Sequence, residues 1–417
     1  MLWILALLTD GPEQRRALKQ VHAETDVATV PMVLELMRFQ REGRTRDALW
    51  SWVSARAGVS LKDHDAALQW LWAQEYTPHA DYAAFKAELY GAVDPRFRQY
   101  FAQSGAVRVR LDEVRWGGVL QDGIPPLRDP RLETVDQASS WLADDHVVFG
   151  VELNGIAQAF PKRIMAWHEL LTATIGGEPV VGVYCSLCGS LIVYGTRVGD
   201  TQHELGTSGF LYRSNKLMYD AATQSLWSTL QGTPVIGPLA VDPVQLPMFP
   251  VVTTTWGAWR ERHPDTQVLS LQTGHERDYG EGVAYRSYFA TDELMFTVPE
   301  PDARLKNKAQ VLALSVGGER AAISKAFLAT HPIHHETLGG QGLVVLTDPS
   351  GAARVYDVGS VRVVTLQGAA AVDALGRSWT VTEAALTHGE ERLQRVAAHQ
   401  VFWFGWNAAF PDARLVR

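Results

Sequence analysis

Hydrophobic and polar positions follow two different rhythms along this chain. From residue 12 to about 104, apolar side chains recur at three- and four-residue spacing, in runs such as PEQRRALKQVHAE (12–24), VPMVLELMRFQREG (30–43) and DHDAALQWLWAQE (63–75). That spacing gathers them on one face of a helix with about 3.6 residues per turn. Gly and Pro are sparse there, and no fixed-period repeat emerges. After residue 105 the rhythm changes. Short apolar runs appear between turn residues: AVRVRL (106–111), HVVFGVEL (146–153), GIAQAF (155–160), PVVGVYC (179–185), SLIVYG (190–195), VIGPLAV (235–241), GLVVLT (342–347) and VRVVTL (361–366). LNG, IGGE and DPSG fall between such runs and read as turns. Helices are predicted near 161–173, 253–263 and 319–330. The fold class is therefore α+β: an all-helical domain over 1–104, then a β-rich, mainly antiparallel α+β domain over 105–417. The helical part carries no evident chemistry and reads as a packing or docking unit, a surface for a protein partner.

Composition narrows the function classes. The 417 residues carry a net charge of −8 and no long Lys/Arg run, which argues against nucleic-acid or anionic-membrane partners. Leu2–Leu8 is apolar but too short to span a bilayer, and neither a basic flank nor a small-residue cleavage site surrounds it. It reads as the start of a packed helix, so no membrane span and a cytoplasmic rather than exported protein are expected. No βαβ alternation and no phosphate-binding glycine loop is visible, so no nucleotide cofactor is expected.

The candidate chemistry lies in PVVGVYCSLCGSLIVYG, which holds both cysteines of the chain, Cys185 and Cys188. In a redox Cys-x-x-Cys that opens a helix, the helix N-terminus lowers the first thiol's pKa. Here Gly189 and the strand-like run after it predict a tight turn between two strands, with Gly189 at positive φ. Such a turn brings two sulfurs together and suits a metal. A tetrahedral site needs further ligands. His168 in PKRIMAWHELL is the leading candidate, and Met218 and Asp220 in SNKLMYD are others. Cys, Met and His would suit copper, whereas Cys, His and carboxylate would suit zinc or iron. A redox dithiol and inert core cysteines remain alternatives. Elsewhere, Arg277, Tyr279 and Lys308 could bind an anionic small molecule or merely fix a polar loop. FWFGW (402–406) reads as core, and HPIHHE (331–336) as a surface loop.

WGGVLQDGIPPL (116–127), AFPKRIMAWHELL (159–171), VYCSLCGSLIVY (183–194), GTSGFLYRSNKLMYD (206–220), SLWS (225–228), TTWGAWRERHPDTQVLS (254–270), RDYG (277–280) and FWFGWNAAFPDARL (402–415) occur in this order. Together they closely resemble a bacterial family of unknown function, DUF3179, over roughly residues 105–417. The resemblance implies a shared fold and site but no known reaction. Motif positions that carry over are His168, Glu169, Cys185, Cys188, Tyr212, Ser214, Asn215, Met218 and Asp220. Ser186 stands where the family usually has Pro, and 172–174 lacks the family's acidic position.

The expectation is a metal-dependent enzyme, redox rather than hydrolytic, acting on a small-molecule substrate with one transition metal ion: copper, zinc or iron. Cys185, Cys188, His168 and Met218 would hold the metal. Glu169, Asp220 and Tyr212 would orient the site or move protons, and Asn215, Arg277, Tyr279 and Lys308 would bind substrate. A non-catalytic copper carrier and a metal-free thiol–disulfide oxidoreductase are the alternatives.

Overall fold

In the computed structural model, residues 2–102 and 105–417 are described. The expected domain boundary abuts Gln103 and Ser104, which lie outside the described residues. A 3₁₀ helix, Leu2–Leu8, is followed by the helices Pro12–Ala23, Val30–Met37, Arg44–Ala57, His64–Trp72, Tyr82–Gly91 and Phe97–Ala102. Local chemistry sets their ends. Asp63 caps His64–Trp72 by accepting from Ala66 N, and Gly58 at φ 68° stops Arg44–Ala57.

These helices form a layer on one face of a six-stranded antiparallel sheet. Its order is Ala106–Val107, Thr233–Gly237, Leu226–Ser228, Asn215–Asp220, Leu205–Tyr212 and Val114–Trp116. Alternation within the strands divides the chain's chemistry between the two faces. Leu217, Tyr219 and Phe210 join the helical core, where the Phe210 ring lies 5.0–5.2 Å from the rings of Phe97, Tyr90 and Phe101. Met218 and Leu211 point the other way, into a core shared with both cysteines and the Trp403–Ala409 helix.

The remaining strands form further, largely antiparallel sheets. One has the order Met248–Phe249, Ser190–Gly195, Glu178–Cys185, Leu170–Ile175 and Leu127–Arg128, and it carries the cysteines. A second five-stranded sheet is built on Val147–Leu153 and Ile156–Pro161, a four-stranded one on Gln310–Val316 and Glu319–Ser324, and an eight-stranded antiparallel sheet covers 333–396. Among the described residues, no helix is long and apolar enough to cross a membrane.

Three local expectations are corrected. The helix near 161–173 is Lys162–His168, and Leu170–Ile175 is a strand; the helix near 319–330 is only Lys325–Thr330, preceded by the strand Glu319–Ser324. His334 and His335 lie not in a loop but in the strand Ile333–Leu338, paired with Gln341–Thr347. In each case a hairpin closed by two glycines at positive φ, Gly176-Gly177, Gly317-Gly318 or Gly339-Gly340, makes the segment a strand against its local pattern.

Candidate functional site

The cysteines sit on a four-residue hairpin turn. Cys185 ends the strand Glu178–Cys185 and pairs with Ser190, the first residue of Ser190–Gly195. Cys188 N donates to Cys185 O at 3.1 Å, and Gly189 takes φ 59°. A Cβ on Gly189 would lie 2.7 Å from the Phe402 ring, so glycine meets both a conformational and a steric demand. Gly405 leaves room on the other side, since a Cβ there would lie 3.2 Å from Cys188 Sγ. Both thiols are free and buried, with their sulfurs 3.0 Å apart.

Their environments are unequal. Burial is the strongest influence on Cys185 and pushes its thiol up. Hydrogen bonds from the Cys188 thiol and the backbone N–H of Lys216 outweigh it, leaving Cys185 below the usual cysteine value. Burial raises Cys188, and its hydrogen bond to Cys185 and the neighbouring charge raise it further. Of the two, Cys185 is thus the more acidic thiol. Asn215 Nδ2 donates to Cys188 Sγ at 3.2 Å. Asn215 is set there by a tight hairpin in which Arg213 and Ser214 both take positive φ, at 48° and 63°. Glu113 and Ala408 O brace this turn by binding the Arg213 guanidinium, with the shortest contact 2.6 Å to Glu113 Oε2.

His168 and Glu169, adjacent in sequence, part company in space. Glu169 caps the helix in the left-handed conformation, φ 56°. His168 turns to Pro125 O at 2.8 Å and the Tyr279 hydroxyl at 2.6 Å, so both ring nitrogens are engaged. Burial lowers its pKa. Glu169 turns towards the cysteines: its Oε2 lies 2.6 Å from Lys216 Nζ, and its Oε1 accepts from the Tyr285 hydroxyl at 2.9 Å. The Lys216 contact has the reach of an ion pair without the direction of a hydrogen bond, and among the described residues no other acceptor takes its N–H groups.

Tyr285 comes from residues 270–309, a segment of 40 residues whose only regular element is the helix Arg286–Phe289. A structureless stretch of that length is uncommon in a compact domain and is typical of functional covers. This strap is tied down at several points. Trp167 Nε1 donates to Asp278 O, Tyr288 OH to Leu187 O and Ser214 Oγ to Phe296 O, each at 2.8 Å, while within the strap Lys308 Nζ donates to Thr291 O at 2.7 Å and to Tyr288 O. Under it lies a cavity of about 80 Å³. Cys185, Ser186, Glu169, Lys216 and Tyr285 are in its lining, together with the apolar residues Ile124, Leu211, Met295 and Phe296.

The expected site residues are therefore only partly assembled. Cys185, Cys188, Asn215 and Glu169 come together. The metal set does not: among the described residues, no three His, Cys, Asp or Glu side chains cluster closely enough to hold an ion. The left-handed turn at Glu169 carries His168 elsewhere. Met218 is packed in the apolar core that holds the thiols. Asp220 closes a turn by accepting from Thr223 N at 2.8 Å and lies 3.0 Å from His203 Nδ1. Tyr212 stacks under the Arg213 guanidinium, 5.4 Å from the ring centre. Tyr279 engages His168 and Thr273, Lys308 binds strap carbonyls, and Arg277 is exposed and bound to its neighbour's carbonyl. Tyr285 belongs to the polar cluster at 275–288 that the sequence offers for an anion, and Lys216 carries a signal only as a lysine inside the buried strand Asn215–Asp220.

No curated protein and no solved structure matches the chain. A family model does match, over residues 121–413, which is most of the chain and contains the cysteine hairpin, Glu169, Lys216 and the strap. The chain belongs to DUF3179, a family of proteins of unknown function.

Proposed function

We propose that the protein is a thiol-based redox enzyme, with Cys185 as the attacking thiolate and Cys188 as the thiol that closes a disulfide with it. The observation that carries this reading is the unequal pair itself: two free sulfurs 3.0 Å apart, only one of which faces a cavity. Cys188 lies behind, held by Asn215. Thiolate attack and resolution by a neighbouring thiol need just such an ordered pair. The expected metal-dependent enzyme and copper carrier would need ligands beyond the sulfurs, and the leading candidate from the sequence, His168, spends both nitrogens on other partners. Within this reading Glu169, Lys216 and Tyr285 manage protons at the cavity wall.

The test is a thiol count on the folded protein. Reduced protein is treated with hydrogen peroxide, denatured and titrated. Both thiols should disappear together and return with dithiothreitol, while Cys185→Ser should keep its single thiol. Two thiols that persist through hydrogen peroxide, or a purified protein carrying stoichiometric metal that is lost in Cys185→Ser, would overturn the reading.

A further inference from the structure

The cavity beside Cys185 limits what can reach the sulfur. Cys185 is 2% exposed and Cys188 is fully buried, so a protein disulfide cannot dock on either. The cavity of about 80 Å³ holds a few small molecules' worth of space, since one water takes about 10–15 Å³ by the same measure. That admits a compound of on the order of six heavy atoms and excludes a tripeptide disulfide. Ile124, Leu211, Met295 and Phe296 favour an apolar body. At the sulfur end, the polar groups are Lys216 Nζ, with N–H groups no acceptor takes, and the Tyr285 hydroxyl bound to Glu169. A substrate is thus apolar at one end, and at the other it has an electrophile whose leaving group needs a proton.

On the reading of Cys185 and Cys188 as a redox pair, we infer that this cavity takes a small alkyl hydroperoxide. The Cys185 thiolate attacks the terminal oxygen; the S–O bond forms and the O–O bond breaks. The alkoxide leaves as alcohol with a proton from Lys216 Nζ. Glu169 and Lys216 make good that proton with the one released when the Cys185 thiol ionised. The Cys188 thiol then attacks the sulfenic acid; the S–S bond forms, the S–O bond breaks, and hydroxide leaves with the Cys188 proton as water. The sum is two thiols and one hydroperoxide giving one disulfide, one alcohol and one water. A small dithiol returns the disulfide to two thiols.

The experiment mixes the reduced, full-length protein with tert-butyl hydroperoxide, hydrogen peroxide or oxidised glutathione, and follows thiol loss and product alcohol. One equivalent of tert-butanol should form per thiol pair. The alkyl hydroperoxide should react about 10-fold or more faster than hydrogen peroxide, because the apolar wall rewards each buried carbon, and oxidised glutathione should react negligibly. Lys216→Met should slow the reaction with either peroxide by about 100-fold. Hydrogen peroxide closing the disulfide where tert-butyl hydroperoxide does not, or oxidised glutathione matching it in rate, overturns the substrate class and leaves the redox pair standing. Failure of every oxidant to join Cys185 to Cys188 overturns both. The wild-type comparison decides the matter even if the lysine variant does not fold.

Discussion

The six-stranded sheet has a buried Glu–Lys–Tyr trio on each side, and the two are used differently. On the helical side, Glu35 Oε1 accepts from Lys86 Nζ at 2.5 Å and from the Tyr82 hydroxyl. Lys86 Nζ also donates to Val114 O at 2.8 Å and lies 5.2–5.5 Å from the ring centres of Tyr82, Tyr90 and Phe101. Its side chain is fully buried, and burial lowers its pKa against the pull of Glu35. On the opposite side, Glu169, Lys216 and Tyr285 make the same kinds of contact but border the cavity and Cys185. Lys86 directs its protons to groups of the protein; Lys216 has protons that no protein acceptor takes. Identical residue types thus tie a helical layer to a sheet in one place and leave donor capacity beside a thiol in the other. The difference lies in what fills the space next to the lysine.

The largest effect expected from breaking this comparison is on stability. Lys86→Met leaves Glu35 as a buried charge without its partner and should cost roughly 3–5 kcal/mol, read from the denaturant midpoint. Lys216→Met should cost far less, about 1 kcal/mol, because water in the cavity can solvate Glu169. Equal losses would mean that the two trios play one structural role. Reactivity should invert the order. Lys216→Met should slow oxidation of the thiol pair by hydroperoxide about 100-fold, or roughly 2.7 kcal/mol of barrier, whereas a Lys86 variant that still folds should react like the wild type. A slow Lys86 variant with an intact fold would contradict the division between faces.

Smaller differences follow for the tyrosines. Tyr82→Phe removes a donor from a buried carboxylate and should destabilise by about 1–3 kcal/mol. Tyr285→Phe should lose about 1 kcal/mol or less, since water can take the hydroxyl's place, and thermal unfolding of the two variants measures the gap. The smallest effect is on pH dependence. The Glu169 charge raises the Cys185 pKa, though burial and the hydrogen bonds from Cys188 and Lys216 N count for more. Glu169→Gln should therefore move the pH profile of Cys185 alkylation to lower pH, because thiolate, the reactive form, then appears earlier as pH rises. A shift to higher pH, or none, would show that the carboxylate does not sense the thiol. Glu35→Gln should leave that profile where it is.

Much of the fold was legible because it is local. The hairpin at 185–190 follows from two apolar runs and a glycine at the required φ, and the FWFGW segment is core, as its aromatic density implied. Helix ends were less legible. The Lys162–His168 helix stops where Glu169 turns left-handed, and Tyr184 N donates to its carbonyl at 2.9 Å from a neighbouring strand. A hydrophobic pattern read along the chain does not contain that partner. The strand at Ile333–Leu338 pairs with Gln341–Thr347 across the turn Gly339-Gly340, so its signal is local, and the polar composition of HPIHHE masks it.

By itself the sequence determined the α+β class, the helical segment before the β-rich part, the paired cysteines on a turn and the family. Each depends on periodicity, turn chemistry or residue identity at short range. Only the tertiary structure decided which neighbours the thiols have. Lys216 lies 31 residues from Cys185 and Tyr285 lies 100 away, and Glu169 reaches the site while His168 does not. Those choices depend on strand alternation, on one left-handed residue and on a 40-residue strap folding back over the sheet. They are set by contacts between segments far apart in the chain, which no single window of sequence contains.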